Sequence, residues 1–271
     1  MATGLQSDAL PVTSVTADRG ASCREDPRGE VYRTTGKMQG FCLIIVMEKF
    51  NWVLGFKTAH QESRERKFKD KADCIKKTFT KIGFQCEVLK NQDYDKIIHT
   101  LKTYQAKPEL ADSNCFVCWL LTGRTEDKNG KHLYALNKII TLKDITRPFL
   151  GDACPALCGK PKLFFVDTDF LAAHEDKTLA DNRGTNRDPY RIPESADVLL
   201  GMYLAPATNG SDTKYAETVC QLMDSCWTRE DDITFLLDKV CEKIASEGWS
   251  VPVYISTLRK LLFVRGRPPV P

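Results

Sequence analysis

The chain has 271 residues, of which 42% are hydrophobic and 28% are charged, enough apolar material for one large α/β domain or two small ones. Its net charge is +3, with basic and acidic residues mixed along the chain, which argues against a nucleic-acid-binding protein. The longest apolar run, residues 41–47, is too short to span a bilayer, so we expect no membrane-spanning segment.

The first part of the chain predicts a disordered arm followed by alternating strands and helices. Residues 1–36 are polar and have no hydrophobic period, which is typical of disorder. The apolar run 41–47 predicts a strand that is buried on both faces. Apolar spacing and short apolar runs then predict helices over about 72–82, 97–104 and 142–150, and strands at 86–89, 115–121 and 162–166.

The second part continues this alternation after an exposed linker. Residues 170–190 are rich in Asp, Asn and Arg and predict the linker. Beyond it the sequence predicts a strand at 198–203, helices near 214–226 and 231–246, and a last strand at 251–255. Strands that alternate with helices predict a mainly parallel sheet with helices on both faces. In such sheets chemistry lies at the carboxyl ends of the strands, which are here residues 122–124 and 167–169.

Cysteine usage bears on compartment and on metal binding. Eleven cysteines without a secretory signal indicate a reducing compartment, and we expect a cytoplasmic protein with free thiols. Cys115 and Cys118 have C-x-x-C spacing, but in an extended strand residues three apart point to opposite faces. Cys154 and Cys158 have no second pair at ligand spacing. We therefore expect no metal and no other cofactor.

Four sequence blocks carry a resemblance to a known family. They are C-F-V-C-W-L-L at 115–121, C-P-A-L-C-G-K-P-K-L-F-F at 154–165, I-P-E-S-A-D at 192–197 and S-T-L-R-K at 256–260. Together they resemble the caspase family over about residues 37–265. The second block is the most specific, because in that family a similar run leads directly into the catalytic cysteine.

The resemblance implies one caspase-like domain with a six-stranded, mainly parallel sheet. It divides the chain into a short arm at 1–36, a large-subunit-like region at 37–169, a linker at 170–190, a small-subunit-like region at 191–265 and a tail at 266–271. The short arm is similar to that of effector caspases. In this family the last strand pairs across a two-fold axis, which implies a dimer interface at Val253, Tyr254, Ile255 and Ser256. The position of Asp181 in an exposed linker suggests a processing site, for which Asp176 and Asp188 are the competing positions.

The chain departs from the family at the catalytic positions. After the strand 115–121 the family has S-H-G and this chain has T-G-R, which puts Gly123 at the catalytic histidine and Arg124 at the oxyanion glycine. After the strand 162–166 the family has Q-A-C-R-G and this chain has D-T-D-F-L, which puts Asp169 at the nucleophile and Asp167 at the pocket glutamine. Because proteolysis needs a thiolate and a proton-transfer group, we expect no protease activity.

The substrate pocket departs from the family as well. Caspases hold a substrate aspartate with two arginines and the glutamine. Arg64 or Arg66 could supply one arginine, whereas the S-W-R motif that carries the other is absent from residues 207–214. Asp167 would repel an acidic substrate side chain. We expect a degenerate pocket formed by these three residues.

The D-T-D sequence at 167–169 admits other interpretations. A strand that ends in D-x-D resembles metal-dependent phosphatases of the haloacid-dehalogenase type, although the threonine strand precedes it here. D-T-D is one letter from the D-T-G of aspartic proteases, which need two such loops, and the chain has no second copy. Alternatively, Asp167 and Asp169 are solvated or paired carboxylates, and an ion pair between Asp169 and Arg124 is expected.

The sequence thus predicts a non-enzymatic caspase homologue in apoptosis control. We expect it to regulate an active effector-like caspase by heterodimerisation, raising or lowering its activity, or to form a homodimer. An alternative function is that of a decoy that sequesters a caspase inhibitor or adaptor. Nucleic acid and membrane are not expected as partners.

Overall fold

A single mixed sheet lies at the centre of the protein in the computed structural model, which describes residues 31–32, 34, 36–50, 58–127, 130–171, 196–206, 214–225 and 231–263. The predicted arm before residue 31, most of the predicted linker with Asp181, and residues 207–213 lie outside the described residues. The strands are β1 (Met38–Val46), β2 (Phe84–Lys90), β3 (Ser113–Asp127), β4 (Gly130–Tyr134), β5 (Ile139–Ile140), β6 (Lys162–Phe170), β7 (Val198–Tyr203) and β8 (Val253–Ser256).

The strand order confirms the predicted mainly parallel sheet. Six strands follow each other as β2-β1-β3-β6-β7-β8, and the first five are parallel to their neighbours. β8 runs antiparallel to β7 at the edge. The short strands β4 and β5, which the sequence did not predict, extend the sheet from the far end of β3.

Helices cover both faces of the sheet, as predicted. They are α1 (Thr58–Lys81), α2 (Tyr94–Gln105), α3 (Leu142–Thr146), α4 (Tyr215–Ser225) and α5 (Ile233–Ser246). Buried side chains of α1, α4 and α5 share one hydrophobic cluster, and those of α2 and α3 share another. Alternate residues of β1 point into the two clusters, with Ile44 in the first and Ile45 in the second, as the period of two requires. Among the described helices, none combines the length and apolar character that a membrane crossing would require.

Helix α1 begins well before the predicted helix at 72–82. The charged run at 64–69 is part of this helix, although its composition also suits a loop. Arg64 and Phe68 are buried. They extend the buried face of Ala72 and Ile75 toward the amino terminus of the helix. An apolar face with a buried arginine in it lacks the clear hydrophobic period on which the prediction relied.

The strands β3 and β6 also extend beyond their predicted ends. Residues 122–124 pair with residues 168–170, so both segments lie inside the parallel ladder. Their polar side chains are satisfied there: the Thr122 hydroxyl donates to the Tyr134 carbonyl (2.6 Å). The Thr168 hydroxyl donates to the Tyr203 carbonyl (3.1 Å) and accepts from the Ala205 amide (3.0 Å). A strand can therefore continue through threonines that a sequence pattern assigns to a loop.

The predicted arm ends earlier than residue 36. Tyr32 is buried, and its amide donates to the Leu261 carbonyl (3.0 Å). The Tyr32 hydroxyl donates to Asp197 Oδ1 (2.6 Å), and Arg259 donates to both carboxylate oxygens of Asp197 (2.9 and 2.7 Å). Although burial opposes the charge, these bonds lower the pKa of Asp197. Two of the family-like blocks, which contain Asp197 and Arg259, thus meet in one network, in which Tyr32 and Asp197 are buried and Arg259 is exposed.

The most specific sequence block also has a structural role. Lys160 Nζ donates to the carbonyls of Leu110 (2.9 Å) and Ala111 (2.7 Å), and Lys162 Nζ donates to the Leu157 carbonyl (3.2 Å). These carbonyls lie in short 3-10 helices. The two lysines of G-K-P-K therefore add donors to helix-end carbonyls, of which that of Leu110 also accepts from Ser113 and that of Leu157 also accepts from the Lys160 amide.

Candidate functional site

The residues that the family resemblance aligns with catalytic positions lie side by side in the sheet. Gly123 of β3 and Asp169 of β6 are direct partners in the parallel ladder. Asp167 lies two residues before Asp169, so it points to the same face of β6. The structure therefore places next to each other the two distant sequence segments, 122–124 and 167–169, that the family resemblance identified.

The space beside Gly123 is filled by apolar side chains. A Cβ added to Gly123 would lie 2.5 Å from a methyl carbon of Leu171 and 2.8 Å from the Phe50 ring. Leu171 has no exposed surface, and its amide donates to the Arg124 carbonyl (2.7 Å), which fixes its position. Phe50 contacts Tyr134 edge to face, with ring centroids 6.4 Å apart. A side chain of any size at position 123 would therefore have to displace its neighbours.

Asp169 forms an ion pair with Arg64 of α1. Arg64 Nε donates to Asp169 Oδ2 at 3.0 Å, and the guanidinium carbon lies 5.7 Å from the Phe50 ring centroid. The Arg64 side chain is 6% exposed and that of Asp169 is 31% exposed. The expected ion pair between Asp169 and Arg124 was wrong. Arg64 is thus the predicted pocket arginine that reaches this region, whereas Arg66 is exposed on the same helix.

Asp167 forms a second and more deeply buried ion pair. Lys71 Nζ donates to Asp167 Oδ2 at 2.9 Å, and the side chains are 4% and 0% exposed. The Ala216 amide, in the first turn of α4, donates to the same oxygen at 3.2 Å. The expectation that Asp167 faces an acidic substrate was wrong, because its charge is balanced by Lys71 and by the amino end of α4.

The two ion pairs join one face of α1 to one face of β6. Arg64 and Lys71 are seven residues apart and therefore lie on the same side of α1, two turns from each other. Asp167 and Asp169 are two residues apart and lie on the same side of β6. Sequence reasoning missed Lys71. The signal that could have identified it is a basic residue seven positions after Arg64, on the helix face that also carries the apolar residues Phe68 and Ala72.

Arg124 holds a different part of the region. Its Nε donates to the Ala205 carbonyl at 2.6 Å, and its Nη2 donates to the same carbonyl. Its Nη1 bonds Glu126 at 2.9 Å, and this hydrogen bond lowers the pKa of Glu126. The guanidinium carbon lies 5.2 Å from the Phe170 ring centroid. Arg124 therefore ties the segment that follows β7 to the end of β3.

Neither of the two histidines whose side chains the structure describes lies beside Asp169. His132 lies on β4 opposite Thr125, and β4 is on the other side of β3 from β6, which carries Asp169. His99 is exposed on α2. In the described ranges, no group of three or more His, Cys, Asp or Glu side chains is arranged to hold a metal ion. Lys71 and Arg64 already provide positive charge to the two aspartates. A Mg²⁺ ion would therefore have to displace these two side chains or bind against their positive charge.

The edge strand β8 carries the predicted dimer residues. It pairs with β7 on one side and ends the described strand order on the other. Val253 is 57% exposed, whereas Tyr254 and Ile255 are partly buried. The Tyr254 hydroxyl donates to Asp238 of α5 (2.6 Å), and this bond together with burial raises the pKa of Tyr254 to about 12.

Comparison with known proteins places these features in a family context. A family model described as "Caspase domain" matches residues 39–263. Mouse caspase-8 is 29% identical over 86% of the chain, and chicken caspase-6 is 25% identical over 91%. The matches cover 52% of that caspase-8 and 80% of that caspase-6, so the chain spans about half the length of the former.

Solved structures show the same fold. A structure of pro-sf-caspase-1 superposes with a TM-score of 0.72 at 24% identity, covering 93% of this chain and 99% of that one. The crystal structure of caspase-1 from Spodoptera frugiperda gives a TM-score of 0.68 at 24% identity, covering 89% and 98%. The fold is therefore caspase-like.

Proposed function

On the premise that this chain belongs to the caspase family, which the match over residues 39–263 establishes, we propose that it is a non-enzymatic member that regulates an active caspase by pairing with it. The observation that carries this proposal is the filled space at Gly123, where Leu171 and Phe50 leave no room for a catalytic side chain. The protein acts in apoptosis control in the cytoplasm.

The chemistry of the region supports the absence of proteolysis. A carboxylate at Asp169 is a weak nucleophile toward amides, and Gly123 has no group that could transfer a proton. Arg64, the residue suited to bind a substrate aspartate, already binds Asp169 at 3.0 Å. Arg124 occupies the position of the oxyanion glycine and directs its guanidinium to the Ala205 carbonyl. Nucleophile, base and pocket are thus replaced by internal contacts.

The edge of the sheet supports the regulatory part of the proposal. An edge strand presents backbone donors and acceptors that can pair with another chain. Val251 and Val253 expose 55% and 57% of their surface beside this edge. A caspase chain that offers the equivalent strand would extend the sheet across the interface, and binding there would change the activity of the partner.

We predict that the purified protein does not cleave aspartate-containing peptides. The physical reason is the missing thiolate and base at the paired positions Gly123 and Asp169. The measurement is turnover of a fluorogenic peptide, with an active effector caspase as the positive control. An activity that Asp169→Ala abolishes would overturn the proposal, since a contaminant would be unaffected by that substitution.

We predict that Val253→Glu weakens association with an active caspase at least tenfold. A charge buried at a strand interface costs several kcal/mol, and each 1.4 kcal/mol is a factor of about ten in affinity. Val253 is a better site than Tyr254, because its exposure leaves the monomer intact, whereas a carboxylate at 254 would face Asp238. The measurement is the kcat/KM of the partner titrated with wild-type and variant protein.

The matched control for this titration is Gln85→Glu. Gln85 is exposed on β2, the strand at the opposite edge of the sheet. The substitution therefore adds the same negative charge far from β8. We expect Gln85→Glu to behave as wild type. If Val253→Glu and wild type give identical curves, the β8 edge is not the interface and a decoy that binds an inhibitor through another surface becomes the better proposal.

A further inference from the structure

Two cysteines face each other across neighbouring strands at the far side of the sheet from β8. Cys42 of β1 and Cys86 of β2 are direct partners in the parallel register. Cys42 has no exposed surface, whereas Cys86 is partly exposed at the border of the same hydrophobic cluster. Neighbouring strands lie about 4.8 Å apart, which is within the Cα separation of about 4.4–6.8 Å that a disulfide requires.

Helix α1 adds polar and basic groups over this pair. The Phe79 and Phe84 rings contact each other with centroids 5.4 Å apart, which places the turn of α1 around Thr80 above the start of β2. Hydrogen bonds from Cys42 and Thr80, together with the charge of Lys76, lower the pKa of Cys86 to about 7 in spite of its burial. Burial raises the pKa of Cys42. Within the pair, Cys86, whose Sγ lies 3.8 Å from the Phe84 carbonyl, is therefore the thiol that ionises more readily, and Cys42 is the less acidic partner.

We propose that Cys86 and Cys42 form a thiol pair that hydroperoxides oxidise to a disulfide. The Cys86 thiolate attacks one oxygen of the peroxide, so that an S–O bond forms, the O–O bond breaks and the alkoxide or hydroxide leaves. Cys42 then attacks the sulfur of the Cys86 sulfenic acid. The S–S bond forms, the S–O bond breaks, and the departing hydroxide takes the Cys42 proton as water. This site is separate from β3 and β6 and does not depend on the proposed function.

The first test is the pH profile of alkylation of the reduced protein by iodoacetamide, followed by peptide mapping. At pH 7 a thiol of pKa about 7 is half ionised, against about 3% for an ordinary thiol of pKa about 8.5. Because nucleophilicity falls with pKa, the net gain in rate is only about threefold. The midpoint of the profile is the sharper readout, and we expect it near pH 7 for Cys86.

Cys158, which is exposed, is the internal reference in the same map. The variant Lys76→Met should move the Cys86 midpoint upward and leave that of Cys158 unchanged. A Cys86 midpoint equal to that of Cys158 would overturn the proposal.

The second test is treatment with hydrogen peroxide, trapping with N-ethylmaleimide and mass spectrometry under non-reducing conditions. We expect a linked peptide that joins Cys42 to Cys86, its loss in Cys86→Ser and its persistence in Cys158→Ser. Oxidation of Cys86 without this linkage, or linkage to a different cysteine, would contradict the pairing.

Discussion

Replacing Lys71 by methionine is expected to lower the free energy of unfolding by about 3–5 kcal/mol, since it leaves the carboxylate of Asp167 buried without its cation. The Asp167 side chain has no exposed surface, and Lys71 Nζ is 2.9 Å from its Oδ2. Methionine has a similar shape, so the loss reflects the missing charge more than a cavity. Urea denaturation of wild type and variant, with equal slopes required for a valid comparison, measures the effect.

Two control variants separate this effect from a general loss of surface charge. Lys37→Met removes the pair with Asp112, whose side chains are 84% and 52% exposed, and should change stability by less than about 0.5 kcal/mol. The double variant Lys71→Met with Asp167→Asn should recover most of the loss, because a neutral amide can still accept from the Ala216 amide. A double variant no more stable than Lys71→Met alone would show that the buried charge is not the cause.

Substituting alanine for Gly123 is expected to cost about 1–3 kcal/mol, because the new methyl group collides with Leu171 and Phe50. The combined variant Gly123→His with Asp169→Cys should fold poorly and show no peptide turnover. It would face the same collision, and the cysteine would remove the partner of buried Arg64.

A double-mutant cycle identifies the collision as the cause. Leu171→Ala alone should cost about 2–5 kcal/mol, since it leaves a cavity. Together with Gly123→Ala it should cost clearly less than the sum of the two single changes, as the new methyl group enters the vacated space. Additive costs would show that Leu171 does not limit the space at position 123. Measurable turnover by the Gly123→His and Asp169→Cys protein would show that the region is more open than the contacts indicate.

The sequence predicted the sheet well because its central strands are uniform. The runs at 41–47, 115–121 and 163–166 are apolar throughout, as is typical of strands buried on both faces, and their alternation with helices indicated a mainly parallel sheet. The extensions of β3 and β6 could not be predicted in the same way. Thr122, Gly123 and Asp169 lack the apolar signal of a strand, and the partners that satisfy them come from distant segments.

The neighbours of the candidate site were harder to predict than its members. The family resemblance identified Gly123, Arg124, Asp167 and Asp169, but the pairing of each charged residue depends on a contact between remote parts of the chain. Arg124 was expected to bind Asp169 because their strands are adjacent. In the folded protein its long side chain reaches the Ala205 carbonyl, and Arg64 approaches Asp169 from a helix whose start the sequence did not reveal.

The buried contact between Tyr32 and the last part of the chain has a consequence for synthesis on the ribosome. Tyr32 and Leu261 are 229 residues apart, so translation at about 5–20 residues per second separates their appearance by roughly 10–45 s. Asp197 follows Tyr32 by 165 residues and Arg259 follows it by 227, so both partners of the Tyr32 hydroxyl are made late in this interval. The nascent chain must therefore carry Tyr32 without these hydrogen bonds until residues 259–261 have been made, and a chaperone that binds aromatic segments would have that interval in which to act.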